Sequence, residues 1–87
     1  MTPMLSPSDA YRIADTTFQS ALIRLQLLED IANNHGRAYA ALSREGYSGD
    51  VIQIARLAMQ DSRYAAIEAR NEAEQARVTR DDMVRYS

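Results

Sequence analysis

"LSREGYSGDVIQ", residues 42–53, contains two of the chain's three glycines. Gly46 and Gly49 bracket Tyr47 and Ser48, and sequence of helical character lies on both sides. Such a stretch either links two separate units or forms the tip of one antiparallel helical hairpin. The apolar pattern on its two sides separates these alternatives.

Upstream, apolar residues recur at alternating spacings of three and four: Tyr11, Ala14, Phe18, Ala21, Leu25, Leu28, Ala32, His35, Tyr39 and Leu42. His35 is the one polar member. This is a heptad seam, the pattern of a helix that buries a narrow stripe against another helix. "SPSD", residues 6–9, supplies its start. Ser6 suits the N-cap, Pro7 the first turn, and Asp9 the positive end of the helix dipole. The weak point is "ANNHGRAY", residues 32–39, because Asn33, Asn34 and Gly36 are poor helix formers and Gly36 is able to cap a helix ending at His35. The seam nevertheless keeps its phase to Leu42. That continuity favours one helix over residues 7–45, kinked or strained near Gly36, above two helices broken there.

Downstream, the same spacing runs through Ile52, Ala55, Met59, Ser62, Ala66, Ala69, Ala73, Ala76, Arg80 and Met83. With Ser48 as N-cap and Asp50 in the first turn, it predicts a second helix over about 49–84. Folding the seams together antiparallel sets Phe18 opposite Ala76, Leu25 opposite Ala69, Leu28 opposite Ala66, Ala32 opposite Ser62, His35 opposite Met59 and Tyr39 opposite Ala55. Phe18, Leu25, Leu28 and Tyr39 of the first helix thus meet alanines of the second, which permits close approach. Any two repeating seams have some mirror point. Here it falls on residue 47, the middle of the glycine-bracketed stretch, and that coincidence is an independent check. The expectation is an all-α protein with one domain, residues 1–87. Its parts are a long antiparallel hairpin with its turn at 46–49 and short tails at 1–6 and 85–87. At the open end the pairs Tyr11–Met83 and Ala14–Arg80 suggest looser packing, with Asp15 near enough to pair with Arg80.

One hairpin needs one apolar stripe per helix, and this chain has more. Ile13, Leu22, Ile23, Leu27 and Ile31 lie off the first seam. Val51, Ile54, Leu57, Tyr64, Ile67 and Val78 lie off the second. Burying a large aliphatic side chain is worth roughly 1.5–3 kcal/mol, and a chain of 87 residues is marginal alone. Self-association into a helical bundle, as a homodimer or higher homo-oligomer, is therefore expected, with a larger protein partner as the alternative cover. The residues expected at such an interface are Ile54, Leu57, Tyr64, Ile23 and Leu27.

The remaining chemistry is sparse. There is no cysteine and a single histidine, so no thiolate site and no several-histidine metal site is expected. No cofactor is implied. The net charge of -2 does not point to nucleic acid, and no apolar run approaches the roughly 18 residues of a membrane span. The N-terminus lacks the pattern of a secretory signal, so a cytoplasmic protein is expected. All ten basic residues are arginine; a GC-rich genome accounts for this more simply than selection for guanidinium geometry. Arg56, Arg63, Arg70 and Arg77 recur every seven residues. Arg70 and Arg77 have Glu74 and Asp81 at helical spacing, whereas Arg56 and Arg63 have no acid there. The latter two either reach Glu29 or Asp30 across the hairpin or await an anionic ligand or acidic partner. Arg44 and Tyr47 form a second cation and aromatic pair, at the tip. His35 reads as a core histidine held by one hydrogen bond. Glu68 and Glu72 lack the Glu-x-x-His companion of diiron bundles. No nucleophile with a base, phosphate loop or Walker lysine is present, so no enzyme is expected. The apolar surplus beyond one hairpin seam implies a non-catalytic protein that oligomerises and binds a larger protein as adaptor, chaperone or inhibitor. Its size, absent lysine and surplus apolar faces resemble accessory proteins of bacteria and phages, a likeness of type that assigns no residue. The second reading is an oligomer that sequesters a small anion such as a nucleotide. Nucleic-acid binding ranks last.

Overall fold

The computed structural model describes residues 7–85. They form two helices, α1 (Pro7–Arg44) and α2 (Asp50–Arg85), folded into an antiparallel hairpin. The molecule is a rod with extents of 65, 24 and 13 Å. The expected helix ends agree to within a residue, and α1 runs unbroken through Gly36. A side chain at Gly36 would meet only the Arg63 guanidinium, 4.0 Å away. The glycine serves neither a turn nor a close approach. The expected N-cap at Ser6 lies outside the described residues.

The turn is built by its glycines. Gly46 has φ +84° and Gly49 φ +70°, values that a side chain disfavours. The Gly46 N–H donates to the Ser43 carbonyl at 3.2 Å and the Tyr47 N–H to the Leu42 carbonyl at 3.1 Å. This is a Schellman motif, which satisfies carbonyls that the helix end leaves free. The Gln53 N–H donates to the Gly49 carbonyl at 3.1 Å, so Gly49 occupies the N-cap of α2. Ser48 stands one residue too early for that role, which corrects the expected cap.

Every residue of the two seams from Tyr11 to Leu42 and from Ile52 to Met83 is buried or half-buried. The deepest are alanines: Ala69 is 2% exposed, and Ala14, Ala32, Ala66 and Ala73 are also buried. Among the described residues no side chain larger than alanine is buried, and no polar one is. Two helices pressed together along one stripe shelter small side chains at the line of closest approach. They leave each larger one partly open, because water reaches it from either side of the line. His35 follows this pattern: it is half-buried, and no hydrogen bond holds it among the described residues, contrary to the expected core histidine.

At the open end, Arg80 Nη1 donates to Asp15 Oδ1 at 3.3 Å, as expected. The Arg80 guanidinium also lies 4.5 Å from the centroid of the Phe18 ring, a cation–π contact. This end is therefore tighter than the seam suggests on the side of Asp15. Desolvation opposes the Arg80 charge, but hydrogen bonds to Asp15 and Asp81 outweigh it and hold the pKa above the ordinary arginine value.

Candidate functional site

A helix turns about 100° per residue, so positions flanking the seams sort onto two open sides of the rod. One side carries the row Arg56, Arg63, Arg70 and Arg77 of α2 beside Leu22, Glu29 and Gly36 of α1; we call it the arginine face. The opposite side carries Ala10, Ile13, Thr17, Ser20, Leu27, Ile31 and Ala38 of α1, with Val51, Ile54, Ala58, Ala65 and Thr79 of α2. This apolar face holds one ion pair, from Arg24 Nη1 to Glu72 Oε2 at 3.1 Å, with Asp61 and Glu68 toward its edge.

The residues expected at an interface are all exposed: Ile23 and Tyr64 each at 71%, Ile54 at 67%, Leu27 at 61% and Leu57 at 48%. They do not share one face. Leu27 and Ile54 flank the apolar face. Ile23 lies on the outer edge of α1, and Leu57 and Tyr64 lie on the outer edge of α2, in line with Val78. Half a turn away from seams that face each other, such residues point in opposite directions. Ile13, Ile31 and Val51 lie on the apolar face and are exposed as well. They were visible in the sequence as surplus apolar residues, but their common side emerges only once both seams are fixed.

The arginine row divides differently from expectation. Arg70 Nη2 reaches across to Glu29 Oε1 at 3.3 Å, in place of the expected Glu74. Glu74 is held by Arg77, which also donates to Asp81 at 3.0 Å. The hydrogen bond and charge of Arg77 lower the Glu74 pKa below the ordinary carboxylate value, and Glu74 in turn raises that of Arg77. Arg56 donates to Gln53 Oε1 at 2.9 Å. Arg63 has neither a hydrogen bond nor an ionic partner among the described residues. It borders a shallow groove of about 250 Å³ lined by Glu29, Ala32, Asn33, Ala66, Ile67 and Arg70. Arg44 and Tyr47 are both exposed near the tip, and Arg44 has no acidic partner among the described residues. Exposed ion pairs such as Arg24–Glu72 contribute ~0–1 kcal/mol each.

On the apolar face near the open end lies a second groove, of about 350 Å³, lined by Ala10, Ile13, Thr17, Ala76, Thr79 and Met83. Among the described residues no group of three or more His, Cys, Asp or Glu side chains is placed to hold a metal, and no helix is long and apolar enough to cross a membrane. Comparison with protein-family models, curated proteins and solved structures finds no match to this chain.

Proposed function

We propose that this chain is a non-catalytic interaction protein. It self-associates through its exposed aliphatic residues and presents the rest of its surface to a larger protein, as an adaptor, chaperone or inhibitor of the bacterial or phage accessory type. The cytoplasm is the setting that goes with this reading. One observation carries it: nothing larger than alanine is buried among the described residues, while Ile23, Ile54 and Tyr64 stand two-thirds or more exposed. Each large aliphatic or aromatic side chain left wet forgoes roughly 1.5–3 kcal/mol of burial. A rod with several of them gains more from a protein surface than from water.

The test concerns the outer edge of α2. Immobilised wild-type protein and the double variant Leu57→Glu, Tyr64→Glu are each exposed to lysate of the source cell. Loss of self-association, or of a protein held by the wild type, supports the reading. If the variant matches the wild type in both respects, Leu57 and Tyr64 are not the contact surface. A second reading, capture of a small anion, draws on the free Arg63 guanidinium beside Asn33 and Arg70. Melting in the presence of millimolar nucleotides discriminates it: a raised midpoint supports an anion site, and unchanged midpoints set it aside.

A further inference from the structure

Leu57, Gln60, Tyr64, Ile67 and Asn71 recur at alternating spacings of three and four on the side of α2 turned away from α1. They form a second heptad stripe behind the seam. Leu57 is 48% exposed, Ile67 53% and Tyr64 71%, so the hairpin leaves this stripe uncovered. Arg56 and Arg63 stand along one flank of it, Asp61 and Glu68 along the other. All four are exposed, and none has a partner of opposite charge among the described residues. When two parallel helices pack along such a stripe, a residue on the first flank of one lies across from the residue five positions later on the second flank of the other. That spacing sets Arg56 across from Asp61 and Arg63 across from Glu68, and a two-fold axis forms each pair twice. Arg70, already held by Glu29, falls across from the neutral Gln75. We infer that a second copy of this chain covers the outer edge of α2, helix beside helix in parallel, with the axis running lengthwise and both tips at one end. This rests on the self-association proposed above and gives it a register.

Charge selects the parallel orientation. An antiparallel pairing of the same edges places like flanks side by side, arginine row against arginine row and carboxylates against carboxylates, and such contacts repel. Asn71 acts in the same direction. It follows Leu57 and Tyr64 and precedes Val78 in one row of the stripe, and a single asparagine at such a position fixes register and two-stranded pairing at some cost in stability. Beyond Asn71 the other row carries Glu74 and Asp81, both held by Arg77. These charges confine the contact to the half of α2 nearer the tip, although Arg77 itself falls across from Asp82. The apolar face, with Ile13 and Ile31, lies outside this contact and stays open to a larger protein.

Sedimentation equilibrium of charge variants tests the register. Neither Arg63 nor Glu68 has an ionic partner within the described hairpin, so changing them removes no ion pair of the fold, and circular dichroism checks each variant. Arg63→Glu and Glu68→Arg should each weaken dimerisation by about tenfold or more, because each brings like charges together twice. Combining Arg63→Glu with Glu68→Arg should restore it. The chain has no cysteine, so a single introduced thiol reports proximity directly. Gln60→Cys meets its own counterpart in this arrangement and should form a covalent dimer under mild oxidation; Ser20→Cys, on the apolar face, should not. Dimerisation that Arg63→Glu leaves unchanged or strengthens, or a double variant no better than the single ones, overturns the parallel register and leaves self-association standing. Failure of Gln60→Cys to link, or linking at Ser20→Cys in its place, overturns the choice of edge. A wild-type chain that sediments as a monomer at tens of micromolar overturns this inference and the self-association beneath it.

Discussion

Gly36 is the residue at which a small change is expected to stabilise this protein. It sits inside a continuous helix, its Cβ position is free of clashes, and glycine costs about 1 kcal/mol relative to alanine in a helix interior. Gly36→Ala should therefore stabilise the fold by about 1 kcal/mol and raise the melting temperature by roughly 4–8 °C. A lowered midpoint in thermal denaturation followed by circular dichroism would show that this position is strained. Glu74 provides a second residue-level prediction. Arg77 lowers its pKa in the folded state, so the contribution of the pair is present in full above the ordinary carboxylate range, about 4–4.5. It is lost as pH falls through the lowered folded value. The difference in melting temperature between wild type and Glu74→Gln should be constant from neutral pH down to that range and shrink below it. A difference that grows on acidification contradicts the assignment. The seven-residue arginine row was plain in the sequence, but its partners were not. Spacing along one helix offers Arg70 the acid Glu74, and only the crossing of the helices shows that Glu29 is nearer and that Arg77 already holds Glu74.

At the level of the helices, the interaction that matters is the close approach of α1 and α2 along the alanines of α2. Ala69 is the most buried of these and lies at the level of Leu25. Enlarging it forces the helices apart or pushes Leu25 out of its place, a change that costs typically 1–3 kcal/mol. Ala69→Leu should destabilise the hairpin by that amount in urea denaturation, whereas Ala40→Leu, on the exposed side of α1, should not. Equal effects at the two positions would mean that the seam is not where the helices meet. The seam and the turn were legible because they rest on periodicity and on the positive φ of Gly46 and Gly49, which are local properties. The cap of α2 was misread by one residue for a local reason too: Ser48 has the better capping side chain, but the turn geometry puts Gly49 at the position whose carbonyl accepts the first helical bond. The cation–π contact of Arg80 with Phe18 was not legible. The seam pattern marks Arg80 as a polar intrusion and gives no sign that it lies over an aromatic ring.

For the whole molecule, the excess of apolar residues over what one hairpin needs was apparent in composition and spacing, and the structure places those residues in water. Their division among an apolar face, an arginine face and the two outer edges required the hairpin register first, because a residue's side of the rod has no meaning until both seams are fixed. The expected interface residues consequently scatter over more than one surface, and Ile13, Ile31 and Val51 join the face that the sequence alone did not delimit. A lone hairpin leaves this apolar surface uncovered, and in the proposed assembly another copy of the chain covers part of it. Sedimentation equilibrium of the purified protein from micromolar to tens of micromolar concentration tests it most directly. A mass at least twice the 9.8 kDa of one chain is expected, falling toward the single-chain value only on dilution. A mass of one chain throughout would contradict it.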